Sequence, residues 1–183
     1  MTAKRAGALG VHSIDHFGLQ VPNLDEARSF YDAFGLEVRD SDEGLELFTV
    51  GHPQCWGRIV QGPVKQLRYL SFGIYAEDEA AIFAHLENEG AVKIDALPGA
   101  PAGDIWIEGF DGLPINIRVA DKCSPDAKTK FETVSTAPGA SGAILNSAAP
   151  KTHPRNLSHF ALYTTDVIAA TAWYENMLGL RLS

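Results

Sequence analysis

Two of the six histidines stand in the same short context, Ile14-Asp15-His16-Phe17-Gly18-Leu19 and Leu157-Ser158-His159-Phe160-Ala161-Leu162. A neutral imidazole on a strand holds a divalent metal or carries a proton, so chemistry is sought at these two positions first. The remaining four offer less. His52 stands beside Pro53 as a turn residue, and His85 lies near Glu89 on what is expected to be a solvated helix face. His12 and His153 border segments without periodic pattern. Cys55 and Cys123 lie 68 residues apart with no CxxC, as reduced thiols would. No GxGxxG, Walker loop, GxSxG or HExxH is present, which removes nucleotide, hydrolase and zincin readings that rest on those motifs.

The elements around His16 follow from periodicity. Phe17, Leu19 and Val21 alternate with His16, Gly18 and Gln20, which predicts a strand with one packed face. Pro22 ends it and Asn23 caps a helix with Leu24, Ala27, Phe30, Tyr31 and Phe34 at helical spacing before Gly35. Phe30 and Tyr31 are expected against the sheet. Short strands at 36–38, 45–50 and 56–60 complete a βαβββ unit. The same order returns 53 residues on, with Tyr69 at the place of His16. A strand follows with Leu70, Phe72 and Ile74 on one face and Tyr69, Ser71, Gly73 and Tyr75 on the other, then a helix over 77–89 and strands at 92–94, 105–108 and 115–119. Residues 14–120 are therefore expected to form an α+β domain of paired βαβββ modules, a cup-shaped mixed sheet with helices outside. Because the helix-covered faces are apolar, His16, Tyr69 and Asn116 turn toward the inside of the cup.

From 121 to 156 the composition shifts toward Ala, Ser, Thr, Pro and Gly, which predicts a linker. The opening pattern then returns a third time. At an offset of 143, His159 falls on His16, Phe160 on Phe17, Leu162 on Leu19, Ala170 on Ala27 and Tyr174 on Tyr31. One residue later in register, Gly179-Leu180 falls on Gly35-Leu36. So long a period indicates domain duplication instead of a solenoid. Residues 157–183 are expected to begin a second βαβββ domain that the chain leaves incomplete, and either to dock on a partner chain or to be mobile. Trp173 and Tyr174 are expected to be buried behind its first strand.

The chain of 183 residues is 45% hydrophobic and 21% charged, ordinary globular usage, with a formal net charge of -8. That balance offers no footprint for nucleic acid or an anionic membrane surface. No apolar run approaches the roughly 20 residues of a membrane span, and the N-terminus lacks a signal-peptide pattern. A cytoplasmic protein with no nucleic-acid or membrane partner is expected.

The I/L-x-H-F-x-L opening, the helix with Phe-Tyr or Trp-Tyr and the closing Gly-Leu pair resemble the vicinal oxygen chelate superfamily of paired βαβββ proteins. Glyoxalases, bleomycin-resistance proteins and type I extradiol ring-cleaving dioxygenases belong to it, and two such domains in tandem look most like a dioxygenase. The resemblance implies a non-catalytic first domain and a catalytic second one that holds Fe(II), or Mn(II), through two His and one Glu. His159 would be the first of those metal ligands, with its partners and the acid/base residue beyond Ser183. In the first domain His16 matches the first ligand position and Tyr69 the second. Asn116, in Asp111-Gly112-Leu113-Pro114-Ile115-Asn116, takes the place of the carboxylate. An amide is a weak neutral ligand and a phenol with a pKa near 10 resists binding as phenolate, so residues 14–120 are expected to hold no catalytic iron. The resemblance implies an intact homo-oligomeric enzyme acting on a small catecholic aromatic substrate, with this chain inactive by itself. The alternatives are a non-enzymatic module that binds a small molecule and a glyoxalase-like isomerase or lyase.

Overall fold

The structure, a computed structural model, describes residues 7–101, 104–123 and 153–182. Most of the expected linker, 124–152, lies outside them, as does Ser183. The first unit runs β1 (Ser13–Val21), α1 (Leu24–Phe34), β2 (Glu37–Ser41), β3 (Gly44–Phe48) and β4 (Cys55–Gln61). The second runs β5 (Gln66–Ile74), α2 (Glu79–Asn88), β6 (Ile105–Glu108) and β7 (Pro114–Val119), and α3 (Val167–Leu178) follows. One seven-stranded sheet holds all the strands in the order β2-β3-β4-β1-β5-β7-β6. In each unit the first strand pairs in parallel with the last, β1 with β4 and β5 with β7. The units join where β1 and β5 run antiparallel, so the strands carrying His16 and Tyr69 are neighbours at the seam. The expected strand at 92–94 shrinks to one bridge, Lys93 to Ile107, because the chain leaves the sheet after Ile94 on its way to Pro98.

Local signals set the helix ends. The Asn23 side chain accepts from the amides of Asp25 and Glu26, and Gly35 closes α1 in the left-handed region at φ 99°. Leu24, Ala27 and Tyr31 form the stripe that packs on Val21, Leu45, Leu47 and Ile59. Phe30 departs from expectation: it is 61% exposed and stacks on Phe34, 58% exposed, with ring centres 6.2 Å apart. Both lie one stripe round from Ala27 and Tyr31, turned off the sheet by the helical period.

The second core contains Leu70, Phe72, Ile74, Ile82, Leu86, Ile115 and Ile117, and α3 lies over it through Leu178, Trp173, Tyr174 and Met177. Asp166 caps α3 by accepting from the amides of Ile168 and Ala169, and Gly179 ends it at φ 66°. The strand expected at 157–162 does not form; 153–163 is irregular. Trp173 and Tyr174 are thus packed as expected, but on the sheet of residues 13–119 instead of on a strand of their own. The Val11 amide donates to the Leu178 carbonyl at 2.9 Å, and Asn176 Nδ2 donates to Glu89 Oε2 at 2.7 Å. His85 is corrected in the same way: its Nε2 donates to the Asn176 carbonyl at 2.7 Å, so it faces α3.

Candidate functional site

His16 lies on the sheet face away from the helices and is only 1% exposed. A shift of register in β1 between Ile14 and His16 leaves Asp15 as an extra residue, and the bulge buries Asp15 beside its neighbour. His16 Nδ1 lies 2.6 Å from Asp15 Oδ2, and Nε2 lies 3.0 Å from the Tyr69 hydroxyl. Burial lowers the His16 pKa and outweighs the Asp15 carboxylate, while Arg58 and Arg118 push the same way as burial. Burial alone would raise Asp15, but the hydrogen bond from His16 and the charge of Arg118, 3.7 Å away, hold it below the ordinary carboxylate range. The imidazole is therefore neutral, with Nδ1–H donated to Asp15 and the Nε2 lone pair accepting from Tyr69.

Tyr69 is the phenol that this arrangement requires. Burial pushes its pKa up to about 12, so it keeps its proton and donates it. Gly18 sits opposite Tyr69 in the β1–β5 register, and any Cβ there would run into the Tyr69 ring. The missing side chain lets the ring lie across β1 and reach His16, with Trp106 packed on it at 4.9 Å between ring centres. Asn116 is fully buried one strand further on and bonds elsewhere. Its Oδ1 accepts from Ser71 Oγ at 2.6 Å, and its Nδ2 donates to Asp104 Oδ2 at 3.3 Å. His16, Ser71 and Asn116 form one row across β1, β5 and β7.

Of the residues singled out in the sequence, the fold brings His16 and Tyr69 together and sets Asn116 in the same row. His159 stays apart: it is exposed, and its Nδ1 pairs with the neighbouring Ser158 hydroxyl at 3.0 Å. Fe(II) does not fit the residues at positions 16, 69 and 116. The one imidazole nitrogen aimed at the open face is taken by a protonated phenol, and the amide oxygen by Ser71. Among the described residues no three of His, Cys, Asp and Glu gather as a metal site would need. Asp15, Ser71, Asp104 and Arg118 belong to the network but were not singled out. Asp15 had a readable signal, two polar residues in succession at the start of an otherwise alternating strand.

No known family profile matches the chain. Over 173 residues it is 37% identical to metapyrocatechase 2 of Cupriavidus necator, a match spanning 94% of this chain and 54% of that protein. The chain thus spans about half the length of the curated relative it matches. Among solved structures, the 2,3-dioxygenase LapB of Pseudomonas sp. KL28 superposes with a TM-score of 0.54 at 18% identity, over 64% of this chain and 43% of that one. An extradiol ring-cleaving dioxygenase of B. fuscum gives 0.52 at 21% identity, over 65% and 35%. The Mn(II)-bound glyoxalase of Novosphingobium aromaticivorans gives 0.51 at 20%, over 59% and 38%. These structures share the fold, and the curated relative shares the sequence along nearly the whole chain. Sequence relative and fold neighbours together point to the vicinal oxygen chelate superfamily, most closely to the type I extradiol ring-cleaving dioxygenases.

Proposed function

We propose that this chain forms the non-catalytic first half of an extradiol dioxygenase that opens the ring of a small catecholic aromatic. The observation that carries the reading is the 37% identity to a metapyrocatechase over 94% of the chain but only 54% of the relative. The catalytic metal, Fe(II) or Mn(II), belongs on this reading to a second βαβββ domain that opens at His159, with residues 121–156 as the linker. His159 is the first metal ligand in this proposal, and the other ligands belong to the same second domain. The helix-free face of residues 14–120 is the cup of a scaffold domain. The seam between β1 and β5, closed by His16 and Tyr69, gives that scaffold its rigidity. A cytoplasmic homo-oligomer is part of the same proposal.

The test uses the full-length polypeptide that carries this sequence, loaded anaerobically with Fe(II) and then offered catechols and dioxygen. A coloured ring-opened product and stoichiometric iron, both lost on His159→Ala, are expected. Absence of product and of bound iron would overturn the reading. Stabilisation by a catechol with no metal requirement would support the binding module in its place.

A further inference from the structure

The two repeats related by the offset of 143 also touch each other, and they do so in a two-fold way. Phe17 and Phe160 occupy the same place in their repeats, and their rings meet at 6.1 Å and 88°. A residue that meets its own counterpart lies on the axis of a two-fold arrangement, in which every other contact occurs twice with the roles exchanged. One such exchanged pair is present. The Val11 amide donates to the Leu178 carbonyl at the end of α3, and exchange of the repeats turns these two residues into Pro154 and Gly35. Pro154 has no N–H to give. The neighbouring His153 supplies the donor, its Nδ1 lying 2.8 Å from the Gly35 carbonyl at the end of α1.

The helices break the symmetry. Trp173 and Met177 of α3 pack on the second core, where Met177 shares a small cavity with Ile82 and His85 of α2. Their counterparts on α1 are Phe30 and Phe34, the exposed stacked pair. The other stripe of α3, Val167, Ala170 and Tyr174, corresponds to the sheet-facing Leu24, Ala27 and Tyr31 of α1 and lines an open cleft of about 670 Å³. Each helix thus carries one stripe for a sheet of its own and one for the other repeat, and among the described residues α1 has only the first covered. We infer that the intact protein completes the two-fold: Phe30 and Phe34 dock on the second domain, against the helix there that corresponds to α2. The contact is apolar, because the clasp of Asp111 on Thr164 and Thr165 has no counterpart; Val21 and Pro22 stand at those places. This inference rests on the second βαβββ domain proposed above but not on its ring-cleaving activity.

The test places the photo-cross-linker benzoylphenylalanine at position 30 of the full-length polypeptide that carries this sequence. Isotope-labelled and unlabelled copies are mixed, so that mass spectrometry separates links within a chain from links between chains. A link within one chain to a residue beyond Ser183 is expected. Linkage to a second copy, linkage confined to residues 1–183, or none at all would overturn the inference. Should the analogue disturb folding, Phe30→Ala with Phe34→Ala is expected to lower the thermal midpoint of the full-length polypeptide by about 5 °C or more, and any smaller change would refute the contact. The expected link in a polypeptide that forms no ring-opened product would overturn the activity alone. Product without the link would overturn the docking alone.

Discussion

Residues 13–36 and 157–180 carry the same pattern of a His-Phe pair, a polar helix cap and a closing glycine. The helix is built in both places and the strand in only one. Asn23 and Asp166 each accept from amides two and three residues ahead, and Gly35 and Gly179 each take the left-handed turn. β1, by contrast, is bonded along both edges, to β4 on one side and to β5 on the other, while 157–162 has no strand beside it among the described residues. The two histidines differ accordingly. His16 is buried between Asp15 and Tyr69, whereas His159 is exposed beside Ser158. A helix end is decided by partners within a few residues; the chemistry of a strand histidine is decided by a partner 53 residues away.

The sharpest way to break this comparison is His16→Ala. It leaves a buried carboxylate and a buried phenol without their shared partner, and a loss of about 3 kcal/mol in a urea titration is expected. Acidification addresses the same residue. Because burial holds the folded His16 below its ordinary pKa of 6.5, the unfolded chain takes up the proton first as pH falls, so stability declines from 6.5 toward the folded value. Asp15 adds to the decline only in the acid range, where its contribution disappears as pH falls through its own lowered pKa. His12, also lowered by burial, acts in the same direction as His16. His16→Ala should therefore flatten the slope of stability between pH 5 and 7 without abolishing it. An unchanged slope would mean that His16 is not the neutral buried group described.

Smaller effects sharpen the contrast. Tyr69→Phe keeps the packing against Trp106 and removes the donor to Nε2, for about 1–2 kcal/mol by thermal or chemical melting. The caps should behave alike despite their different surroundings. Asn23→Ala and Asp166→Ala are each expected to lose about 1 kcal/mol, seen as faster amide exchange in α1 and α3 respectively. His159→Ala stands at the bottom, within about 0.5 kcal/mol of the parent in the chain as it is. A loss as large as that of His16→Ala would mean the two repeats are equivalent after all.

Much of the fold was legible because it is written in short periods. Alternation along β1 and β5, the helix caps, and the turn glycines marked the two units and assigned His16, Tyr69 and Asn116 to the face away from the helices. Phe30 was misplaced because two aromatic stripes on α1 satisfy the same spacing, and only the position of Val21, Leu45 and Ile59 selects Tyr31 over Phe30. The strand at 92–94 was overestimated because the pattern does not show where the chain must leave the sheet for Pro98. His85 looked like a solvent-facing residue because nothing local announces that α3 will cross it.

The site divides along the same line. Residue types at 16, 69 and 116, read with the repeat, were enough to argue that these three positions do not make an Fe(II) triad, since an amide and a phenol are poor donors to Fe(II). The hydrogen bond that joins His16 to Tyr69, the bulge that buries Asp15, and the ring laid over Gly18 depend on the pairing of β1 with β5. That pairing sets which groups lose water and which meet, and hence which keep their protons. The amino-acid order determined the elements and the donor atoms on offer. Tertiary structure decided that the imidazole is neutral, capped and buried, because desolvation and cross-strand contact arise only once the two halves of the sheet pair along β1 and β5.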